Sequence, residues 1–65
     1  MKTKVYYCCC TKNGRGYWEL WSNQDECNYM YSTKVAPTLQ DAMVAYAVDH
    51  MKALYHFEFQ EVVYA

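Results

Sequence analysis

The sequence has no long apolar run, no excess of charge of one sign and no low-complexity tract. The first absence excludes a membrane-spanning helix, which needs about 20 apolar residues in succession. A net charge of −1 argues against electrostatic binding of nucleic acid, because such proteins carry a basic patch. Residues 5–10 are too short a run for the core of a secretory signal. We therefore expect one compact cytoplasmic domain spanning residues 1–65.

Motifs that signal catalysis or a cofactor are also missing. Ser22 and Ser32 lack the G-x-S-x-G context of a serine nucleophile. The glycines of residues 14–16 precede strand-like sequence, whereas a phosphate-binding loop precedes a helix. His50 lies on the apolar side of a predicted helix, where a backbone partner is expected, and His56 lies at the predicted helix C-terminus. Neither histidine has the spacing of a catalytic triad. We predict no enzymatic activity and no cofactor.

Four cysteines are present, and none of them forms a C-x-x-C pair. Cys8, Cys9 and Cys10 are consecutive, and adjacent residues of a strand point to opposite faces, which suits neither a disulfide framework nor a zinc site. Cys8 and Cys10 would share one face, where they could meet Cys27 or a histidine. We expect reduced, buried cysteines that pack as small apolar side chains and bind no metal.

Aromatic side chains are what the sequence has in excess: eight Tyr, two Trp and two Phe, alongside four Met. A domain of this length buries only about 60% of the surface that its unfolded chain exposes. One helix on a small sheet cannot cover so many large side chains. The surplus indicates a partner-binding surface or a homodimer, for which Tyr and Trp are well suited.

The first part of the chain predicts a β-hairpin. Residues 4–11 are rich in strand-forming types, and residues 17–22 form the return strand. Between them, Asn13 and Gly14 readily adopt the positive φ angles of a tight turn. Alternation along the return strand then separates two faces: Trp18 and Leu20 toward the helix, and Tyr17, Glu19 and Trp21 away from it.

The remainder predicts a polar connection, a strand, a helix and a last strand. Residues 23–28 form the connection, with a short helix beginning at Ser22 as the alternative, and residues 29–35 form the third strand. Thr38 and Asp41 have the form of a helix capping box, and helical spacing continues to Tyr55. Residues 57–64 form a fourth strand parallel to the first, which would lie in the middle of the sheet.

These elements predict an α+β fold, a single two-layer domain with the order β-β-β-α-β. The sheet is mostly antiparallel, and one helix packs on one of its faces. Two candidate partner-binding surfaces follow. The first is the sheet face opposite the helix with the hairpin tip, containing Tyr6, Lys12, Arg15, Tyr17, Glu19 and Trp21. The second is an extra apolar stripe on the helix, containing Val44, Val48, Met51 and Tyr55.

Three functions are compatible with these surfaces. Protein binding is favoured, because exposed Tyr and Trp on a rigid sheet provide contact area at little entropic cost. The alternative is RNA or single-stranded nucleic acid, with bases stacked on Tyr6, Tyr17 or Trp21 and phosphates held by Lys12 and Arg15. Glu19 among the aromatics and the scattered basic residues argue against it. A homodimer with a structural role is the third possibility.

The segment Tyr31 to Ala42, followed by a helix and then Phe57-Glu58-Phe59, resembles part of several very small phage-encoded proteins. These include an inhibitor of host RNA polymerase and some anti-CRISPR proteins. The Thr38-Leu39-x-x-Ala42 helix start also resembles HicB-like antitoxin domains, although the Pro-Gly-Cys type turn and the appended DNA-binding segment of that family are missing. The phage resemblance implies a stoichiometric, non-catalytic inhibitor that binds a protein or nucleoprotein complex in the host cytoplasm.

Overall fold

The computed structural model describes residues 2–63, which form one helix and one four-stranded sheet. The elements are β1 (Thr3–Lys12), β2 (Arg15–Trp21), β3 (Tyr29–Ser32), α1 (Leu39–Asp49), a short 3-10 turn (Leu54–His56) and β4 (Phe57–Glu61). The strand order is β3-β2-β1-β4, antiparallel except for the parallel pair β1 and β4. The predicted α+β fold, with its parallel last strand and β1 in the interior of the sheet, is confirmed.

The hairpin forms where the sequence predicts it. Asn13 and Gly14 have φ angles of 54° and 75°, and they connect the paired residues Lys12 and Arg15. Positive φ at both turn positions gives the twist that joins two antiparallel strands tightly. Register then follows from the turn, so that Leu20 lies opposite Tyr7 and is fully buried. The predicted inward facing of β2 is confirmed.

The third strand is shorter than predicted. It ends at Ser32, because the backbone N–H groups of Val35 and Ala36 both donate to the Ser32 carbonyl oxygen, at 3.0 and 2.8 Å. This turn carries the chain from the sheet edge to the helix and leaves Val35 exposed. The preceding connection, residues 23–28, is a turn rather than a helix, as the sequence favours.

The start of α1 is the predicted capping box. The Thr38 side chain accepts from the Asp41 backbone N–H at 3.2 Å, and the Asp41 carboxylate accepts from the Thr38 backbone N–H at 3.3 Å. Both bonds satisfy donors that a helix N-terminus otherwise leaves without partners. Pro37 lies just outside the helix, where it removes no helical hydrogen bond.

The end of α1 differs from the prediction, because the helix stops at Asp49 instead of continuing toward Tyr55. Met51 adopts a φ of 56°, and the N–H groups of Met51 and Lys52 donate to the carbonyl oxygens of Val48 and Ala47. This is a Schellman ending, which normally uses glycine at the left-handed position. His56 consequently lies beyond the helix C-terminus and not at it.

The early helix end also overturns the predicted apolar stripe of Val44, Val48, Met51 and Tyr55. Met51 lies in the left-handed turn and Tyr55 in the 3-10 turn, so these side chains do not follow one helical period. Each is exposed, from Val44 at 42% to Met51 at 93%. Val44 and Val48 lie one turn apart on α1, but Met51 and Tyr55 lie beyond its end, so the four side chains do not form one continuous helical stripe.

The core lies between α1 and one face of the sheet. Its buried members come from all parts of the chain: Val5, Leu20, Ala36, Ala42, Tyr46, Ala47 and Phe57. Tyr46 is the largest of them at 1% exposure, and its ring packs edge-on against Tyr29 and Phe57. Trp18 packs against the edge of this cluster, as predicted.

The last strand runs from Phe57 to Glu61. Directly after it, the backbone N–H of Val62 donates to the Tyr7 carbonyl oxygen at 2.8 Å. The prediction extended this strand to Tyr64, which lies outside the described residues. Within residues 2–63, no helix is long and apolar enough to cross a membrane.

Candidate binding face of the sheet

The sheet face opposite α1, called here the open face, is assembled by strand alternation and register. Residues directly opposed in the ladder share a face, and the pairs Tyr6–Trp21, Cys8–Glu19 and Cys10–Tyr17 all point away from the core. The neighbouring strands extend these rows on both sides. The open face thus contains Lys4, Tyr6, Cys8, Cys10, Tyr17, Glu19, Trp21, Met30, Ser32, Glu58 and Gln60.

Two aromatic rings form one end of the open face. Tyr6 and Trp21 lie on adjacent strands, with ring centroids 6.1 Å apart and planes tilted by 31°. Both side chains are half-buried, which means that each ring presents one side to solvent. Met30, on the edge strand β3, adds an apolar side chain that is 66% exposed. Strands hold these groups in place, so little side-chain freedom is lost when a partner covers them.

The hairpin tip forms the other end of the open face. Lys12, Arg15 and Tyr17 line an open groove there together with Ser32. Both basic side chains are exposed. The predicted candidates on the sheet therefore do share one face, but the aromatic pair and the two cations lie at opposite ends of it.

Glu19 occupies the centre of the face, where it lies on β2 beside two thiols of β1. The Cys8 and Cys10 Sγ atoms are 3.0 Å apart, and Cys10 Sγ lies 4.0 Å from Glu19 Oε2. Burial, followed by the Cys10 thiol and the Glu19 charge, raises the pKa of Cys8 to about 12. A hydrogen bond with Cys10 raises the pKa of Tyr17. Glu19 is thus a partner of the thiols, a role that its position in the sequence does not reveal.

The cysteines are only partly buried, which corrects the prediction. Cys8 is buried and Cys10 is half-buried, whereas Cys9 and Cys27 are exposed. Cys9 points toward the helix side of the sheet, but the short helix does not cover it. Cys8 and Cys10 share a face as predicted, although they meet Glu19 there and not Cys27 or a histidine.

A polar cluster that the sequence does not predict lies on the helix side of the sheet. Asp25, in the polar connection, approaches His50 Nε2 with its Oδ1 atom at 3.0 Å. The other oxygen of Asp25 accepts from the Tyr46 hydroxyl and from the Ser22 backbone N–H. Burial would raise the pKa of Asp25, but these hydrogen bonds and the nearby His50 ring outweigh burial and lower it.

This cluster has the composition of an acid–base pair, but its geometry is structural. The second ring nitrogen of His50, Nδ1, lies 2.8 Å from the Tyr46 backbone carbonyl oxygen. Both ring nitrogens of His50 therefore have hydrogen-bond partners within the fold. The predicted backbone partner of His50 is confirmed. His56, by contrast, is exposed, and its ring centroid lies 4.2 Å from that of Tyr55.

Comparison with protein-family models, curated proteins and solved structures found no match. The resemblance to small phage inhibitors and to HicB-like domains therefore stays a prediction.

Proposed function

We propose that this protein is a non-catalytic binding module that docks a protein partner on the open face. The observation that carries this proposal is the half-exposed Tyr6–Trp21 pair, mounted on two central strands beside the exposed Met30. Tyr, Trp and Met are enriched at protein interfaces, and Tyr and Trp dominate their binding energy. The narrower function, stoichiometric inhibition of a host complex, rests on the phage resemblance alone.

The charge of the open face also favours a protein over nucleic acid. Glu19 places a carboxylate at the centre of the face, between the aromatic pair and the hairpin tip. A phosphate backbone running along the face would pass this anion and meet basic side chains only at the tip and at Lys4. A protein surface can place a donor opposite Glu19, so the same carboxylate contributes specificity.

The test begins with identification of the partner by affinity capture and mass spectrometry. A photo-crosslinking amino acid at position 21 should then attach to that partner, whereas the same group at position 55 should not. Tyr55 is the matched control, because it is an aromatic residue at 69% exposure that lies in the 3-10 turn and not on a strand of the sheet. Equal crosslinking from both positions would remove the open face as the docking site.

Affinity measurements on substituted chains provide a second test. Trp21→Ala should leave the fold intact and weaken partner binding at least about tenfold, which corresponds to about 1.4 kcal/mol. Tyr55→Ala should leave binding unchanged. Trp18→Ala acts on the core side, so it should destabilise the fold by about 3 kcal/mol or more. The proposal fails if Trp21→Ala unfolds the domain while Trp18→Ala is silent.

The groove at the hairpin tip supports RNA or single-stranded nucleic acid as the second candidate. Lys12 and Arg15 lie there beside the half-buried ring of Tyr17, a combination that can hold a phosphate and stack a base. A fluorescent single-stranded oligonucleotide should then bind with an affinity that falls steeply with salt. Substitution of Lys12 and Arg15 would weaken that binding as strongly as Trp21→Ala.

A further inference from the structure

Two thiols and one carboxylate meet at the centre of the open face. Cys8 and Cys10 are two residues apart on β1 and so point to the same side, and Glu19 lies directly opposite Cys8 on β2. The three potential ligand atoms all lie within 4.8 Å of one another. This is the spacing of the first coordination shell of a metal ion, and the set comes from two adjacent strands of the sheet interior.

The carboxylate is held in the orientation that such a site needs. The Asn28 side-chain amide donates to Oε1 of Glu19, which leaves Oε2 turned toward Cys10. Carboxylates that bind metals are commonly fixed in this way by a hydrogen bond to their other oxygen. Among residues 2–63, Glu19 forms no ion pair. Its negative charge is therefore not neutralised within the described part of the fold.

The electrostatics of the cluster favour a cation. Cys8 is 4% exposed, and the Glu19 carboxylate lies close to both thiols without an ion-pair partner among residues 2–63. A divalent cation held by these three ligand atoms would balance the charge of the carboxylate. Two sulfur ligands select a thiophilic ion, and a carboxylate as the third ligand suits zinc.

The distances fit zinc after small side-chain movements. Zn–S bonds of about 2.3 Å and Zn–O bonds of about 2.1 Å in a tetrahedron require S···S and S···O separations of about 3.8 and 3.6 Å. The observed separations are 3.0 Å between the thiols and 4.0 Å between Cys10 and Glu19. To reach this geometry the two sulfur atoms would move apart by about 0.8 Å, and Cys10 and Glu19 would approach each other by about 0.4 Å.

We propose that Cys8, Cys10 and Glu19 bind one zinc ion on the open face. The sequence predicts no metal site, because the C-x-x-C motif is missing. In the structure, β1 instead presents the thiols of Cys8 and Cys10, which are two residues apart, and β2 supplies the carboxylate of Glu19. This site does not depend on the proposed protein partner. A metal titration tests it alone, so failure of either proposal is distinguishable from failure of the other.

The experiment uses the reduced, metal-free full chain and Co²⁺ as a spectroscopic probe. One Co²⁺ per chain should produce thiolate-to-metal charge-transfer absorption, which Zn²⁺ should then abolish by displacement. Native mass spectrometry should show one zinc per chain. Because both thiols must lose their protons, uptake near neutral pH should release about two protons per ion, measured by calorimetry in buffers of different ionisation enthalpy.

Four variants decide which residues bind the ion. Cys10→Ser should abolish the charge-transfer absorption, and Glu19→Gln should retain it with affinity at least about tenfold lower. Cys9→Ser is the matched control, since it removes a thiol on the same strand but on the opposite face; Cys27→Ser removes the thiol in the polar connection. Both controls should bind like the parent chain. Circular dichroism without metal checks that each variant is folded, and Glu19→Gln tests the site even if a thiol variant unfolds.

Three results would overturn the proposal. The first is an absence of stoichiometric Co²⁺ or Zn²⁺ uptake by the parent chain. The second is loss of binding in Cys9→Ser or Cys27→Ser to the same degree as in Cys10→Ser. The third is unchanged affinity in folded Glu19→Gln, which would assign the ion to thiols alone.

Discussion

The partly buried hydrogen bond from Tyr46 to Asp25 provides a test of how this small fold is stabilised. Tyr46 is 1% exposed, and its hydroxyl links the helix to Asp25 in the polar connection before β3, which His50 at the helix C-terminus also contacts. Burial and the Asp25 carboxylate raise the pKa of Tyr46, so the hydroxyl remains a donor at neutral pH. Tyr46→Phe deletes this donor and leaves the ring packing in place.

The expected loss follows from the charge of the acceptor. Hydrogen bonds to charged groups contribute about 1.5–3 kcal/mol, and Asp25 keeps its bonds from Ser22 and His50 after the change. We therefore expect the free energy of unfolding to fall by about 2 kcal/mol. A chain of this length has a total stability of about 3–10 kcal/mol, so the variant should fold with a melting temperature lower by about 8–16 °C.

Urea unfolding at neutral pH measures this difference, and Tyr31→Phe is the matched control. The Tyr31 hydroxyl also donates to an aspartate, Asp49, but that bond is exposed to solvent. Water replaces an exposed bond at little cost, so the control should lose less than about 1 kcal/mol. Repeating Tyr46→Phe in an Asp25→Asn background isolates the coupling between the two side chains.

Equal losses in Tyr46→Phe and Tyr31→Phe would refute this reasoning, because burial would then make no difference to the value of the bond. A negligible loss in Tyr46→Phe would show that the contacts of Asp25 with Ser22 and His50 are enough without this donor.

Three further changes test the helix ends and the acid response. Thr38→Ala removes the side-chain acceptor of the capping box and should lower the free energy of unfolding by about 1 kcal/mol; an unchanged urea midpoint would place the helix start elsewhere. Met51→Gly relieves a left-handed φ of 56° at an exposed site and should raise the stability by about 1 kcal/mol, which thermal unfolding would show. Because the pKa of Asp25 is lowered in the folded state, its contribution to the free energy of unfolding is complete above about pH 4. This contribution is lost as the pH falls through the lowered pKa. Asp25→Asn should therefore flatten the stability curve below about pH 4, and an unchanged slope there would contradict the pKa direction.

Features that depend on a few neighbouring residues could be predicted from the sequence. Asn13-Gly14 indicates a tight turn because both residues tolerate positive φ, and Thr38 with Asp41 indicates a helix start because their side chains reach backbone donors one turn away. Alternation along β2 was enough to place Trp21 away from the core. The end of α1 was missed because Met51, in the position usually taken by glycine, carries no sequence signal.

Features that depend on distant parts of the chain were decided only by the tertiary structure. The sequence alone determined that Cys8 and Cys10 share a face, since strand geometry alternates by residue. Only the register of β1 against β2 brought Glu19 to them, and only the crossover brought Asp25 beside His50, 25 positions along the chain. Such contacts depend on how whole strands and helices pack, because burial of the shared core selects the register, and no local pattern records which side chains will meet.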